Sequence, residues 1–227
     1  MRIAVVTPFF KARLDWLQQC HASVRAQTHT CTHILVSDGG GPNPVTGFQG
    51  QFIELQHNHR DYGDTPRAIG SISALTQGFD AVAYLDADCW YEAEHVASLV
   101  GLQSRTSAAV CTSARKLYDY RDNFLEICPN SDGRTFADTN CLMVWRPAAQ
   151  LYAQWAYMPQ EYHLIDDRYI FNQILRQKIP CAHTGLASAC YRTKLPAVFK
   201  RLGLPLPPEA EADARIPALV AKMEAGF

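Results

Sequence analysis

Two aspartates one residue apart, Asp86 and Asp88, follow an apolar run in the segment VAYLDADCWY. On a β-strand, residues i and i+2 point to the same side, so both carboxylates can reach one point just beyond the strand. Two hard oxygen donors at one point suit a divalent cation such as Mg²⁺ or Mn²⁺. Ligands of open α/β sheets gather outside the carboxyl ends of the strands, where this pair would lie. In the plainer interpretation, Asp88 caps the next helix and Asp86 is solvated.

Three more groups of residues could take part in chemistry. Asp38 precedes the glycines Gly39–Gly41, which would let a ligand approach the backbone closely. Arg67 stands at the start of a predicted helix, where its guanidinium and free backbone N–H groups could face an anion. Asp166 and Asp167 precede the amphipathic stretch RYIFNQIL. Each also has a structural interpretation: a turn residue, a solvated arginine, and acids that complement a helix dipole.

The elements that must position these residues alternate between strands and helices in the first hundred residues. The predicted order is strand 2–10, helix 14–27, strand 32–41 running into the glycine-rich loop, strand 50–58, helix 64–78, strand 80–88 and helix 92–104. Such alternation predicts the α/β class, with a mostly parallel, doubly wound central sheet and helices on both faces.

The second half of the chain has a different pattern. A strand is predicted over 108–120, followed by an irregular segment up to Arg134. Two further strands, 135–147 and 179–192, flank a helix at 163–177, so we expect mixed strands in this half. The tail, 204–227, begins with prolines and continues as a helix that Pro217 is expected to interrupt.

Composition excludes several classes of protein. The 227 residues are 48% hydrophobic and 19% charged, which predicts a large folded core rather than disorder. Lysine and arginine number 21 against 22 acidic residues, so nothing suggests a nucleic-acid partner. We see no signal peptide core and no transmembrane stretch, and therefore expect a soluble, cytoplasmic protein. The eight cysteines form no C-x-x-C pair, which predicts free thiols and no structural zinc.

Taken together, the motifs resemble the inverting family 2 glycosyltransferases of the GT-A fold (Rossmann-like), from Arg2 to about Arg192. The resemblance is carried by motifs in the family's order: VVTPFFK, LVSDGG, DTPRAIG, YLDADCWY and LIDDRYIFNQIL. It implies metal-dependent transfer of a sugar from a UDP- or GDP-sugar to an acceptor hydroxyl, with inversion. The acceptor could be a carbohydrate, a lipid-linked molecule or another hydroxyl compound.

The resemblance also implies roles for individual residues. Asp88 would bind the metal, and Asp86 would face the ribose or the metal's water shell. The general base would be Asp167, with Asp166 as the second choice. The remaining residues expected at the nucleotide are Thr7, Pro8, Asp38 and Arg67.

Three features of these assignments stay open. The family usually has two acids where this chain has Ser37 and Asp38. This difference leaves the base of the nucleotide undecided between uracil and guanine. His183 could be a further metal ligand, as a late histidine is in some related enzymes, or a structural residue. In the expected division, residues 1–203 form one domain, with a nucleotide-binding half (1–100) and an acceptor half (101–203), and the tail could mediate homo-oligomerisation.

Three other functions compete with this interpretation. Nucleotidyltransferases have a glycine-rich loop with Arg and Lys after the first strand, where this chain has TPFFKAR. Phosphatases of the haloacid dehalogenase type carry D-x-D after the first strand, whereas here the pair follows the fourth. A catalytically inactive sugar-nucleotide-binding or scaffold protein is the non-enzyme alternative, because function resides in the site and not in the fold.

Overall fold

The computed structural model describes residues 1–39, 47–210 and 212–225. Two of the glycines expected to shape the loop after Asp38, Gly40 and Gly41, lie outside the described residues. The third, Gly39, has a φ of +83°, a backbone conformation that favours glycine.

Four parallel strands form the first half of the sheet. They are β1 (Ile3–Phe9), β2 (Cys31–Ser37), β3 (Gln51–Glu54) and β4 (Ala81–Tyr84), and they lie in the order β3-β2-β1-β4. Every residue of β1 and β4 is buried, as expected for strands that are covered on both faces by helices. Because the strands are parallel, their carboxyl ends meet at one edge of the sheet.

The three helices predicted in the first half are present. They are α1 (Leu14–Arg25), α2 (Asp64–Thr76) and α3 (His95–Thr106). Helix α2 approaches the sheet closely at Gly70, where a Cβ atom would come within 2.6 Å of Val6 and 3.1 Å of Val36. A side chain at this position would therefore push α2, and with it Arg67, away from the sheet.

The second half of the sheet mixes strand directions, which confirms the prediction. Its strands are β5 (Trp90–Tyr91), β6 (Val110–Tyr118), β7 (Phe124–Ile127), β8 (Leu142–Trp145) and β9 (Cys181–Arg192). Strand β8 is antiparallel to both of its neighbours, β4 and β6, whereas β6 and β9 are parallel. The amino end of β8 consequently lies beside the carboxyl end of β4.

The structure differs from the predictions in the boundaries of this half. The predicted strand 135–147 is reduced to β8, because Thr139–Cys141 form a 3-10 turn capped by Asp138. The helix predicted from residue 163 is α5 (Asp166–Arg176), and it is preceded by a 3-10 segment, Gln160–Ile165. Two helices, α4 (Gln150–Tyr157) and α6 (Pro196–Arg201), were not predicted.

The tail folds back on its own chain. Helix α7 (Ile216–Ala225) packs on the 3-10 segment, with Met223 buried and Lys222 paired with Glu161. Pro217 does not interrupt this helix, contrary to prediction, because it is the second residue, where a missing N–H breaks no intrahelical bond. Among the described residues, no helix is long and apolar enough to cross a membrane.

All eight cysteines are free, as expected. Six are buried, and Cys31 and Cys181 are half-buried. Burial raises the pKa of most of these thiols; that of Cys20, for example, rises to about 12. They therefore stay protonated at neutral pH and pack as small apolar residues.

Two buried histidines make stability depend on pH. His33 hydrogen-bonds Thr7 (2.8 Å) and His95 hydrogen-bonds Ser188 (2.9 Å), and burial lowers the pKa of each to about 3. The unfolded chain binds protons at these histidines below pH of about 6.5, whereas the folded chain does so only near pH 3. The free energy of unfolding should therefore fall as the pH drops through this window.

For His95, the expected loss between pH 7.5 and pH 5.5 is about 1.4 kcal/mol. The His95→Gln variant cannot bind this proton, so its stability should fall by that much less over the same range. Urea unfolding at both pH values measures the difference, with the exposed His57 as control. His57→Gln should follow the wild type, and a His95→Gln variant that also did so would contradict the prediction.

Candidate active site

A cleft of about 770 Å³ lies at the carboxyl edge of the parallel strands. Its lining includes five charged residues selected from the sequence: Asp38, Arg67, Asp86, Asp88 and Asp166. They come from the end of β2, the first turn of α2, the loop after β4 and the start of α5. The sheet thus brings together groups that are widely separated in sequence.

Arg67 is the centre of a buried cluster of acids. Its guanidinium donates to Asp86 (2.6 Å), Asp166 (3.0 Å) and Asp64 (3.3 Å), and its side chain is only 4% exposed. Asp64 is fully buried and also bonds His163 Nδ1 (2.7 Å). One cation therefore fixes the positions of three carboxylates.

The charges in this cluster are strongly coupled. Burial opposes the charge on Arg67, but Asp86, Asp166 and Asp64 raise its pKa above the ordinary value. Burial raises the pKa of Asp64 to about 7 and lifts the pKa of Asp166 well above its usual range, although Arg67 opposes both shifts. Arg67 hence stays charged, and Asp64 and Asp166 resist full ionisation at neutral pH.

Asp88 is held mainly through its backbone. Its carbonyl accepts a hydrogen bond from Arg192, while its Oδ1 atom accepts only the thiol of Cys89, at 3.4 Å, among the described residues. Burial, followed by the neighbouring Asp86, raises the pKa of Asp88 to about 6. The carboxylate of Asp88 is thus the less engaged member of the D-x-D pair.

Arg192 itself is locked into the core. Its fully buried side chain lies between the rings of Trp16 and Trp90, at 5.0 and 4.7 Å, and it binds both carboxylate oxygens of Asp122. It also donates to Gln19. Arg192 could not be selected from the sequence, because nothing local distinguishes an arginine at the end of a strand.

The loop that carries Asp86 and Asp88 offers a candidate cation site. Ligand atoms of Asp86, Asp88 and Cys89 lie within 4.8 Å of one another, the only such group among the described residues. The thiol of Cys89 is a poor ligand, because burial raises its pKa well above the ordinary value. The two carboxylates fit a hard cation that keeps several waters and also binds a substrate oxygen, as Mg²⁺ does.

Asp38 is buried at the end of β2 and faces the cleft. The backbone N–H and the Nδ1 atom of His59 bond its two oxygens, at 3.0 and 2.6 Å. A carboxylate has about four acceptor positions, so these two bonds orient Asp38 and leave others for a ligand. His59 has no motif around it that would have pointed to this role.

The two acids of the DD pair have different surroundings. Asp166 lines the cleft, and its oxygens accept from Arg67 and from the backbone N–H of Asp167 (2.6 Å). Asp167 accepts from the backbone of Arg168 with Oδ1, whereas its Oδ2 has no hydrogen-bond partner among the described residues. Burial, then the charges of Asp166 and Asp138, raises the pKa of Asp167 to about 7.

The remaining residues selected from the sequence, Thr7, Pro8 and His183, lie in three different surroundings. Pro8 lines the cleft. Thr7 has no exposed surface and bonds His33, so its side chain belongs to the core. His183 bonds Thr112 (2.8 Å) and lies outside the Asp86 group.

The register of the sheet gives His183 and Arg192 different places along β9. His183 pairs with Thr112, and Arg192, which contacts Asp88, pairs with Tyr118. Six residues of β6 separate these two pairings, or roughly 20 Å. His183 therefore lies in a different part of β9 from Arg192, and its role as a metal ligand stays a prediction.

Comparisons with known proteins bear on the family and the fold of this chain. The sequence profile of the family described as Glycosyl transferase family 2 matches residues 4–148, more than half of the chain. No curated protein matches the sequence.

Solved structures of TarS from S. aureus are similar in fold. One is 13% identical, with 89% of this chain and 38% of that chain covered and a TM-score of 0.64. TarS 1-349 in complex with UDP is 13% identical, with coverage of 99% and 71% and a TM-score of 0.63. The complex of TarS 1-349 with UDP-GlcNAc is 11% identical, with coverage of 99% and 72% and a TM-score of 0.60.

The chain thus spans well under half of the first TarS structure, and at these identities the similarity establishes the fold alone. The mixed sheet with its helices is accordingly the GT-A fold expected from the sequence. The match to the family profile covers β1 to β8 and includes the D-x-D loop, Arg67 and Asp38. The chain belongs to glycosyl transferase family 2.

Proposed function

We propose that this protein transfers a sugar from a nucleotide-sugar donor to an acceptor hydroxyl, with inversion and with the help of a divalent cation. The observation that carries the proposal is the cleft at the carboxyl edge of the sheet, where Asp38, Arg67, Asp86 and Asp88 converge. The similar TarS structures contain UDP and UDP-GlcNAc, which favours a uridine nucleotide as the first ligand to test.

The cation would be held by Asp88, with Asp86 beside it. Asp86 already accepts from Arg67, so Asp88 is the carboxylate better able to bind a metal directly. A bound Mg²⁺ or Mn²⁺ would neutralise negative charge that develops on the diphosphate leaving group. Asp38 would accept a hydrogen bond from the base of the nucleotide and so fix the nucleotide sugar in the cleft.

The general base is assigned to Asp167. Inversion requires a carboxylate that takes the proton of the acceptor hydroxyl as it attacks the sugar from the side opposite the diphosphate. Both oxygens of Asp166 already have partners, whereas Oδ2 of Asp167 has none among the described residues. A pKa near 7 also suits a base that works at neutral pH.

Replacing Asp88 by asparagine tests the nucleotide site. Asp88→Asn removes a ligand charge, so we expect UDP binding in Mn²⁺ to weaken by about tenfold or more. Binding with a chelator present should not change. Calorimetry measures both affinities. The matched control is Asp80→Asn, at the amino end of β4. Unchanged affinity of Asp88→Asn in Mn²⁺ would remove Asp88 from the site.

A second measurement separates an enzyme from a binding protein. The wild type with Mn²⁺ and UDP-GlcNAc, in the absence of an acceptor, should slowly release UDP, because water can replace the acceptor hydroxyl. A scaffold or binding module would return the nucleotide sugar intact. A panel of GDP-sugars in the same assay tests guanosine, the other nucleotide that the resemblance implies.

A further inference from the structure

Asn140 is bonded to Asp86 through both ends of its amide. Its Oδ1 atom accepts from the backbone N–H of Asp86 (2.6 Å), and its Nδ2 group donates to Oδ2 of Asp86 (2.8 Å). Nδ2 also donates to Asp138 (2.9 Å). Asn140 itself is fully buried.

The topology explains how a residue 54 positions away reaches Asp86. Strand β8 is antiparallel to β4, so the 3-10 turn at its amino end lies beside the carboxyl end of β4. Asp138 caps this turn by accepting the backbone N–H of Asn140, and it is in turn paired with the buried Arg115. The turn is therefore rigid, and it presents one amide to the D-x-D loop.

We propose that Asn140 is a positioning residue that holds Asp86 in the orientation required for metal-dependent binding of the donor; this rests on the proposed function. Asp86 has one oxygen on Arg67 and the other on Asn140, so its carboxylate plane is fixed from two sides. Without Asn140, the carboxylate could rotate about the single contact with Arg67. Residues that orient metal-binding groups usually change metal affinity or activity by about 10–100-fold.

The chemistry of the amide explains why asparagine fits here. Asp86 presents a donor, its N–H, and an acceptor, its carboxylate, and an amide offers the complementary pair in one plane. Nδ2 also lies between two carboxylates, Asp86 and Asp138, and donates to both. An aspartate at position 140 would keep the acceptor but would place a third negative oxygen between these two acids.

The test uses two variants, Asn140→Asp and Asn140→Ser, and reads out UDP binding by calorimetry in Mn²⁺ and in EDTA. Asn140→Asp keeps the bond to the Asp86 N–H and loses the donor, and Asn140→Ser removes the amide without adding charge. For both folded variants we expect UDP affinity in Mn²⁺ to fall by about 10–100-fold, with affinity in EDTA unchanged. A titration of Mn²⁺ followed by electron paramagnetic resonance should show the same loss.

Thr139→Val is the matched control. Thr139 lies in the same turn and is 3% exposed, but its hydroxyl has no hydrogen-bond partner in the described part of the chain. This variant should bind UDP like the wild type in both conditions. A merely structural role for Asn140 would lower affinity equally in Mn²⁺ and EDTA, and that outcome overturns the proposal.

Unchanged or tighter binding in Mn²⁺ by either folded variant also overturns it. The wild type distinguishes this failure from a failure of the proposed function. A wild type that binds neither UDP nor GDP in Mn²⁺ refutes the nucleotide site itself. A wild type that binds in Mn²⁺, beside variants that bind equally well, refutes only the role of Asn140.

Discussion

Replacing Arg67 by methionine is expected to lower the free energy of unfolding by about 3–5 kcal/mol, the usual cost of removing one partner from a buried ion pair. Arg67 is 4% exposed and is the common partner of Asp64, Asp86 and Asp166. Methionine fills similar space but leaves three carboxylates facing one another without a cation. Urea unfolding followed by circular dichroism at pH 7.5 measures the loss.

Arg13 offers a matched control for this change. It also lines the cleft and pairs with an acid, Asp15 (2.6 Å), but its side chain is 58% exposed. Exposed ion pairs contribute little to stability, so Arg13→Met should stay near the wild type. An Arg67→Met protein that lost less than about 1 kcal/mol would show that the cluster is not held together by Arg67.

Replacing Asp167 by asparagine is expected to reduce turnover by about 10²–10⁴-fold, the usual contribution of general-base catalysis. The amide keeps the shape of the side chain but cannot accept a proton. Donor affinity should survive, because Asp167 is not among the described residues that line the nucleotide cleft. Turnover is measured as UDP release from the donor that the wild type accepts. Donor affinity is measured by calorimetry with UDP.

The pH dependence of turnover gives a second test of Asp167 as the general base. Burial and the neighbouring charges raise the pKa of Asp167 to about 7, and a general base must be ionised to act. Wild-type turnover should therefore fall as the pH drops below about 7. The residual activity of Asp167→Asn should lack this dependence.

Asp166→Asn distinguishes the two acids. Asp166 contacts Arg67 and accepts from the backbone N–H of Asp167, so its amide variant should lose less turnover than Asp167→Asn. A near-normal rate for Asp167→Asn would refute the assignment of the base. An equally large loss confined to Asp166→Asn would move the role one residue back.

The sequence by itself determined the architecture of the first half and the location of its chemistry. Apolar runs of strand length, separated by amphipathic helices, predicted the parallel strands β1 to β4, because burial on both faces imposes a local and readable pattern. The D-x-D pair, Asp38 and Arg67 each stand at the end or start of such an element. Parallel strands place their carboxyl ends at one edge, which is why these residues could be expected in one cleft.

Only the tertiary structure decided which partners these residues take. Arg67 meets Asp166 across 99 residues, and Asn140 meets Asp86, because β8 is inserted antiparallel beside β4 and α5 returns over the same edge. No local pattern encodes such contacts, since they depend on strand order and register. The same register placed His183 in a separate part of β9, although its sequence context allowed it to be a ligand. Residue type and periodicity are local properties of the chain, whereas a hydrogen-bonded site is built from contacts that exist only once the sheet has formed.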